Sequence, residues 1–144
     1  ITERARGYQD ALTENGIAYD PDLNIEIPYD AIEATMEEIL SKMLAGPEPV
    51  QALYALNNNL ATAALTCLNK MGKTIPDDIA LVSFDDIDLF NLYQPGITAV
   101  AQPIEEMGVQ AVEVLIDKIE KGDQAKLEDQ RHLSTKLIVR GSSS

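Results

Sequence analysis

Apolar residues recur along this chain with two periods, and their alternation outlines the fold. Ile1, Ala5, Tyr8 and Leu12 follow helical spacing, and the pattern stops at Asn15-Gly16, where glycine can take the left-handed conformation that closes a helix. After an Asp20-Pro21-Asp22 turn, Leu23, Ile25 and Ile27 alternate with polar residues, which predicts a short strand near a sheet edge. Asp30 and Glu33 have capping-box spacing ahead of Ile32, Met36, Ile39, Leu40, Met43 and Leu44, so a second helix is expected to end at Gly46-Pro47.

Val50 to Leu56 is almost uninterrupted apolar sequence, the mark of a strand covered on both faces, and Asn57 stands at its carboxyl end. A third helical stripe, Ala61, Ala64, Leu65, Leu68 and Met71, closes at Gly72 and carries the single cysteine, Cys67, as a packing residue. Ile79 to Phe84 repeats the buried-strand pattern and ends in Asp85-Asp86. A longer helix starts at Pro103, with Glu105 and Glu106 in its first turn, Lys118 and Lys121 in its last, and Gly122 as its stop. Its apolar stripe is Ile104, Met107, Ala111, Val112, Leu115, Ile116 and Ile119. A charged, exposed stretch from Asp123 to Arg131 leads to a last strand in which Leu133, Leu137 and Val139 share a face, and Gly141 with three serines reads as a frayed tail.

Strands alternating with helices predict an α/β fold, a Rossmann-like parallel sheet flanked by helices and joined by right-handed crossovers. No period of roughly 20 to 50 residues suggests a repeat protein. At 144 residues and 45% hydrophobic content, one compact domain is expected. A net charge of −13 sets up a field that repels nucleic-acid phosphates and anionic membranes, so this segment by itself is not expected to bind DNA. One cysteine fits a reducing compartment, and neither a leader pattern nor an apolar run of about 18 residues is present, which together point to the cytoplasm. Because Ile1 opens almost directly into a helix, the chain is expected to begin inside a larger protein.

In open α/β sheets ligands bind beyond the carboxyl ends of the strands, which directs attention to Asn57–Asn59 and Asp85–Asp86. Asn58 or Asn59 could cap the third helix, and Asp86 or Asp88 could cap a short helix toward Tyr93. An amide and a carboxylate at neighbouring strand ends can also donate and accept hydrogen bonds to a polyhydroxyl ligand. Catalysis has little to work with: His132, the single histidine, sits in polar company, and no serine lies in a nucleophile-elbow sequence. Phosphate-cradling glycine patterns are absent, so no nucleotide cofactor is expected. The acidic pairs Asp77-Asp78 and Glu105-Glu106 read as turn and helix-start residues, and no metal site is expected.

Five strings in register, Arg4-Ala5-Arg6-Gly7-Tyr8, ALYALNNNLATAAL from Ala52, IPDDIALVSFDDI from Ile75, PGITAVAQPIEEMG from Pro95 and LIVRGSS from Leu137, resemble the effector-binding domain of the lactose-repressor/galactose-repressor (LacI/GalR) family. The resemblance covers essentially the whole chain but only the later part of a family member, without the helix-turn-helix, the hinge and most of the first effector subdomain. It implies a type I periplasmic-binding-protein-like fold, with 1–101 and 133–144 mainly in the second subdomain. The helix over 102–122 would then belong to the first. The implied function is a ligand-sensing domain of a sugar-responsive repressor, with no catalytic role and with operator DNA contacted only through the N-terminal domain.

The resemblance further implies that Arg4, Asn57 and Asp85 contact the effector, a sugar or sugar derivative, with Gln102 beside the pocket and Phe84 bordering it. It implies a homodimer, with Leu60, Thr62 and Tyr93 as candidates for the interface. Asn58 departs from the pattern, since many relatives carry an aspartate there. A transport binding protein would use the same fold and the same strand-end groups, and is the alternative reading. A sugar-processing enzyme stands third. The apolar stripe after Pro103 is expected to find a partner, by docking on another molecule, swapping or folding back.

Overall fold

In a computed structural model, which describes residues 2–122 and 132–144, three parallel strands and one antiparallel strand form a single sheet in the order β1-β2-β3-β4. The elements are α1 (Thr2–Glu14), α2 (Ile32–Ala45), β1 (Ala52–Ala55), α3 (Asn58–Lys70), β2 (Ala80–Phe84), α4 (Asp88–Leu92), β3 (Thr98–Ala101), α5 (Ile104–Lys121) and β4 (Lys136–Ile138). Gly16 and Gly72 take the positive φ that their helix-closing positions require. The expected α/β class holds, with an antiparallel edge: β4 pairs β3 through Ala99↔Ile138 and Val100↔Leu137.

Alternation along the strands separates two faces. Leu81, Ser83 and Ala99 point to the face covered by α3, whose Ala61, Ala64, Leu65 and Leu68 are buried, and α2 packs on α3 through Met36 and Leu40. The small side chains of α3 let it approach the sheet closely. Cys67 is buried in this layer, and burial pushes its thiol pKa up, which keeps it a protonated packing group.

The opposite face stays open, which corrects the expectation that Val50–Leu56 is covered on both sides. Tyr54 in β1 is 36% exposed and Leu137 in β4 is 57% exposed. The strand expected over Leu23–Ile27 is also absent: Pro21–Leu23 is a 3-10 turn capped by Asp20, and the residues after it pair with no strand. Alternation supplies a face, but a strand also needs a hydrogen-bonding neighbour, and none of the described segments flanks this one. Leu23 and Ile25 stay exposed, while Ile27 packs on the core. Nor is the capping box formed, because a 3-10 turn over Tyr29–Ala31 places Ala31 at the cap, and no side chain caps α2.

None of the residues of α5 is buried, and its stripe, including Ile104 at 70% and Leu115 at 57% exposure, faces away from the rest of the described fold. The charged stretch from Asp123 to Arg131 lies outside the described residues.

The serine tail is not frayed. Gly141–Ser143 forms a 3-10 turn, and the Ser142 hydroxyl, fully buried, donates to Leu81 O at 2.6 Å and accepts from Thr98 N–H at 2.8 Å. It bridges β2 and β3 where their ladder begins. A methyl group at Gly141 would lie 2.7 Å from Pro95 Cβ, so the turn needs glycine to approach that closely. Ser142→Ala would orphan a buried carbonyl and a buried N–H, and we expect a loss of roughly 2–4 kcal/mol in urea denaturation; a loss below about 0.5 kcal/mol would show that the hydroxyl bridge is dispensable.

Candidate functional site

The carboxyl ends of β1, β2 and β3 converge beneath the first turn of α1. β2 ends at Phe84, and Asp85 still donates its N–H to Val100 O at 3.0 Å before the chain turns out of the sheet with φ 71°. Left-handed backbone costs a non-glycine residue on the order of 1–2 kcal/mol, and such residues concentrate at functional sites. Asp85 is held on both sides of this turn. The buried Ser83 hydroxyl bonds to Phe84 O at 2.8 Å and reaches Asp85 O at 3.3 Å.

The turn points the Asp85 carboxylate between two donors. Gln102, just past β3, donates its amide N–H to Oδ1 at 2.5 Å, and Arg4 Nη1 stands 3.5 Å from Oδ2. Arg4 is itself fixed, donating to Leu56 O at 2.7 Å and lying 3.7 Å over the centre of the Phe84 ring. The Arg4 and Asp85 side chains remain 24% exposed, and Arg4 and Gln102, the two partners of Asp85, line the groove between α1 and the open sheet face. That groove holds about 720 Å³ and has an apolar floor of Val82, Phe84 and Val100, with Tyr54 and Tyr8 beside the charged pair.

Arg4, Phe84, Asp85 and Gln102, expected from sequence, are thus brought together. Asn57 sits one residue beyond the carbonyl that Arg4 grips, but its Oδ1 accepts from Leu60 N–H at 2.9 Å and caps α3. The cap is therefore Asn57, not Asn58 or Asn59. Neither Asp86 nor Asp88 caps α4, whose cap position is Ile87 without a side-chain bond. Leu60 and Tyr93 are half-buried against the core, and the Thr62 hydroxyl bonds back to Asn58 O at 2.8 Å. Asp78 accepts two 2.7 Å bonds from Thr74, a turn role as expected, and these bonds hold its carboxyl below the usual range.

Two features escaped sequence reading. Asp86 turns to the other side of the loop and takes a bidentate pair from Arg140 at 2.9 and 2.8 Å, with both side chains mostly buried. That hydrogen bonding pushes the Arg140 guanidinium pKa up. An arginine closing an apolar run, Leu137-Ile138-Val139, is the signal that could have found it, because a charge there needs a partner. The other is Tyr54, whose pKa is raised chiefly by burial, against which the Arg4 charge pulls it down.

At neutral pH the Tyr54 phenol keeps its proton and can both donate and accept. A second hollow of about 500 Å³ at the start of α2 is lined by Asp30 and Glu33 with no cationic side chain, and carries none of this directional chemistry. Among the described residues, no group of His, Cys, Asp and Glu is placed to hold a metal ion, and no helix is long and apolar enough to cross a membrane.

Because the folded state holds the Tyr54 proton more tightly than the unfolded chain, the folded state loses stability as pH rises past the ordinary phenol value near about 10. Spectrophotometric titration should show a late-ionising phenol that Tyr54→Phe removes. A late component that survives this substitution would contradict the assignment.

The geometry has counterparts among known proteins. Residues 1–143 match the family model described as a periplasmic binding protein-like domain. The chain is 35% identical over 144 residues to the HTH-type transcriptional regulator CelR of Thermobifida fusca, an alignment covering 97% of this chain and 40% of that protein. Among solved structures, a complex of the regulator CelR with cellobiose superposes with a TM-score of 0.79 at 33% identity, covering 99% of this chain and 42% of that one. A LacI family regulator from Enterococcus faecium with bound ribose gives a TM-score of 0.79 at 28% identity, covering 96% and 49%. The chain spans about two-fifths of the length of the curated relatives it matches. With this sheet, this strand-end cluster and these counterparts, the chain belongs to the periplasmic binding protein-like domain family, in the branch of LacI-type regulators, and corresponds to the C-terminal part of their effector domain.

Proposed function

We propose that this chain is the sugar-sensing part of a transcriptional repressor, cytoplasmic and without catalytic activity, whose operator contacts lie in another part of the intact protein. The observation that carries the reading is the Arg4–Asp85–Gln102 cluster over an apolar floor at three strand ends. A carboxylate and a guanidinium fixed in direction offer charge-assisted hydrogen bonds to hydroxyl groups, and Phe84 and Tyr54 give a sugar ring apolar surface to lie on. The similar proteins that hold cellobiose and ribose are regulators, which supports this reading over a transport protein. Asn57 joins the site through its amide NH2 group, since its oxygen is taken by the cap.

Sugar binding shifts the operator-binding equilibrium by its difference in affinity between two arrangements of the effector domain. The protein works as a homodimer, with Leu60, Thr62 and Tyr93 at or near the contact. Residues 1–101 and 133–144 form mainly one subdomain, and α5 docks on the other. Seven apolar residues along α5 are otherwise left in water, and at roughly 25 cal/mol per Å² their burial is worth several kcal/mol.

Titrating the intact protein with cellobiose, ribose and further mono- and disaccharides should find a sugar whose affinity falls roughly 10- to 150-fold in Asp85→Ala, the value of a lost hydrogen bond to a charged group. Unchanged affinity would remove Asp85 from the site. For α5, Leu115→Asp in the intact protein should cost roughly 2–4 kcal/mol on chemical denaturation; no loss would mean that the helix stays exposed.

A further inference from the structure

We infer that Arg140 is a positioning residue for the effector site: by clamping Asp86 it holds the left-handed turn that aims the Asp85 carboxylate at Arg4 and Gln102. The inference rests on the reading of Asp85 as an effector contact, and it extends the site to the last strand and tail of the chain.

Asp85 and Asp86 are neighbours with opposite destinations. Asp85 meets Gln102 and Arg4, which line the groove, whereas both Asp86 oxygens are taken by Arg140, Oδ1 by Nη1 and Oδ2 by Nη2. Extended backbone alone would send consecutive side chains to opposite faces; here the chain also leaves the sheet between them, with φ 71° at Asp85, so the direction of the Asp85 carboxylate is set by that left-handed turn. Upstream, the turn is pinned by the Asp85 N–H to Val100 O and by the Ser83 hydroxyl on Phe84 O. Downstream, the pin nearest Asp85 is the Arg140 fork.

Arg140 is anchored firmly enough to serve. Its Nη1 also donates to Ile97 O at 2.6 Å, its backbone N–H donates to Thr98 Oγ1 at 2.8 Å, and its carbonyl accepts from the same hydroxyl at 3.0 Å. Ser142, two residues on, is locked between β2 and β3. A methyl group at Gly96 would lie 2.9 Å from Arg140 Cδ, so the arginine stem lies directly over that glycine. Two planar, fully charged groups matched in a fork resist rotation as a single hydrogen bond does not, and lysine in place of arginine would hold one oxygen as a point charge.

A merely structural clamp would loosen the whole sheet when broken, whereas a positioning clamp acts at residue 85 and depends on the backbone strain there. Amide hydrogen exchange and the three-bond HN–Hα coupling, read by NMR on the labelled chain without any sugar, distinguish the two. We expect Arg140→Met to speed exchange of the Asp85 amide by about tenfold or more relative to the amides of β1 and β2, and to move its coupling away from the left-handed value. Arg140→Lys should fall between, and Asp86→Asn, which changes no shape, should reproduce the effect if Arg140→Met folds poorly.

In an Asp85→Gly background, where left-handed backbone carries no strain, Arg140→Met should leave the position-85 amide nearly unchanged relative to β1 and β2. Uniform acceleration of all sheet amides, an unaltered Asp85 amide, or an equal effect in the glycine background would each overturn the positioning role. Because no ligand enters the measurement, failure here leaves the sugar-binding reading to be judged by its own titration.

Discussion

The organising constraint is a backbone turn. β2 ends at Phe84 with its ladder still bonded through the Asp85 N–H, and the chain then leaves the sheet with one acidic side chain against Arg4 and Gln102 and its neighbour against Arg140. Left-handed backbone at an aspartate is the local solution, tolerable because short polar side chains accept this conformation more readily than others. From that turn follow the pairing of Asp85 with Gln102 and Arg4, the position of Arg4 over Phe84, and the separate pairing of Asp86 with Arg140.

The two faces of the sheet serve different ends. On one, α3 and α2 bury Leu81, Ala99, Leu68 and Leu40 in a dense layer that holds the strands in register. On the other, α1 approaches at its first turn, leaving a groove whose floor is apolar and whose rim carries opposite charges. Rigidity on the packed side holds the strand ends, and hence the directional groups, in place on the open side. The exposed stripe of α5 extends the same asymmetry, since an amphipathic helix of 18 residues with none of them buried is shaped to pack on something else.

What the sequence made legible was local or carried by motif. The bounds of α1 and α5 follow from helical periodicity, glycine stops and end charges, which act within a turn or two. The Leu23–Ile27 alternation misled because pairing depends on a neighbouring strand that local pattern cannot supply. Ser142 reads as tail because its partners, Thr98 and Leu81, lie 44 and 61 residues away. Asp85 came into view from its place beyond a strand's carboxyl end, whereas Arg4, 81 residues away, did so only through resemblance, since no spacing rule joins the two. The capping of α3 fell to Asn57 instead of its neighbours because β1 ends there, and its extended backbone suits the cap position.

The central claim, that a sugar is read by the strand-end cluster, is tested most directly by a crystal structure of the intact protein with the sugar it binds in titration. The account predicts ring hydroxyls hydrogen-bonded to the Asp85 carboxylate and the Arg4 guanidinium, with the ring against the groove's apolar floor. A sugar seated elsewhere, with the Arg4–Asp85–Gln102 cluster untouched, would contradict it.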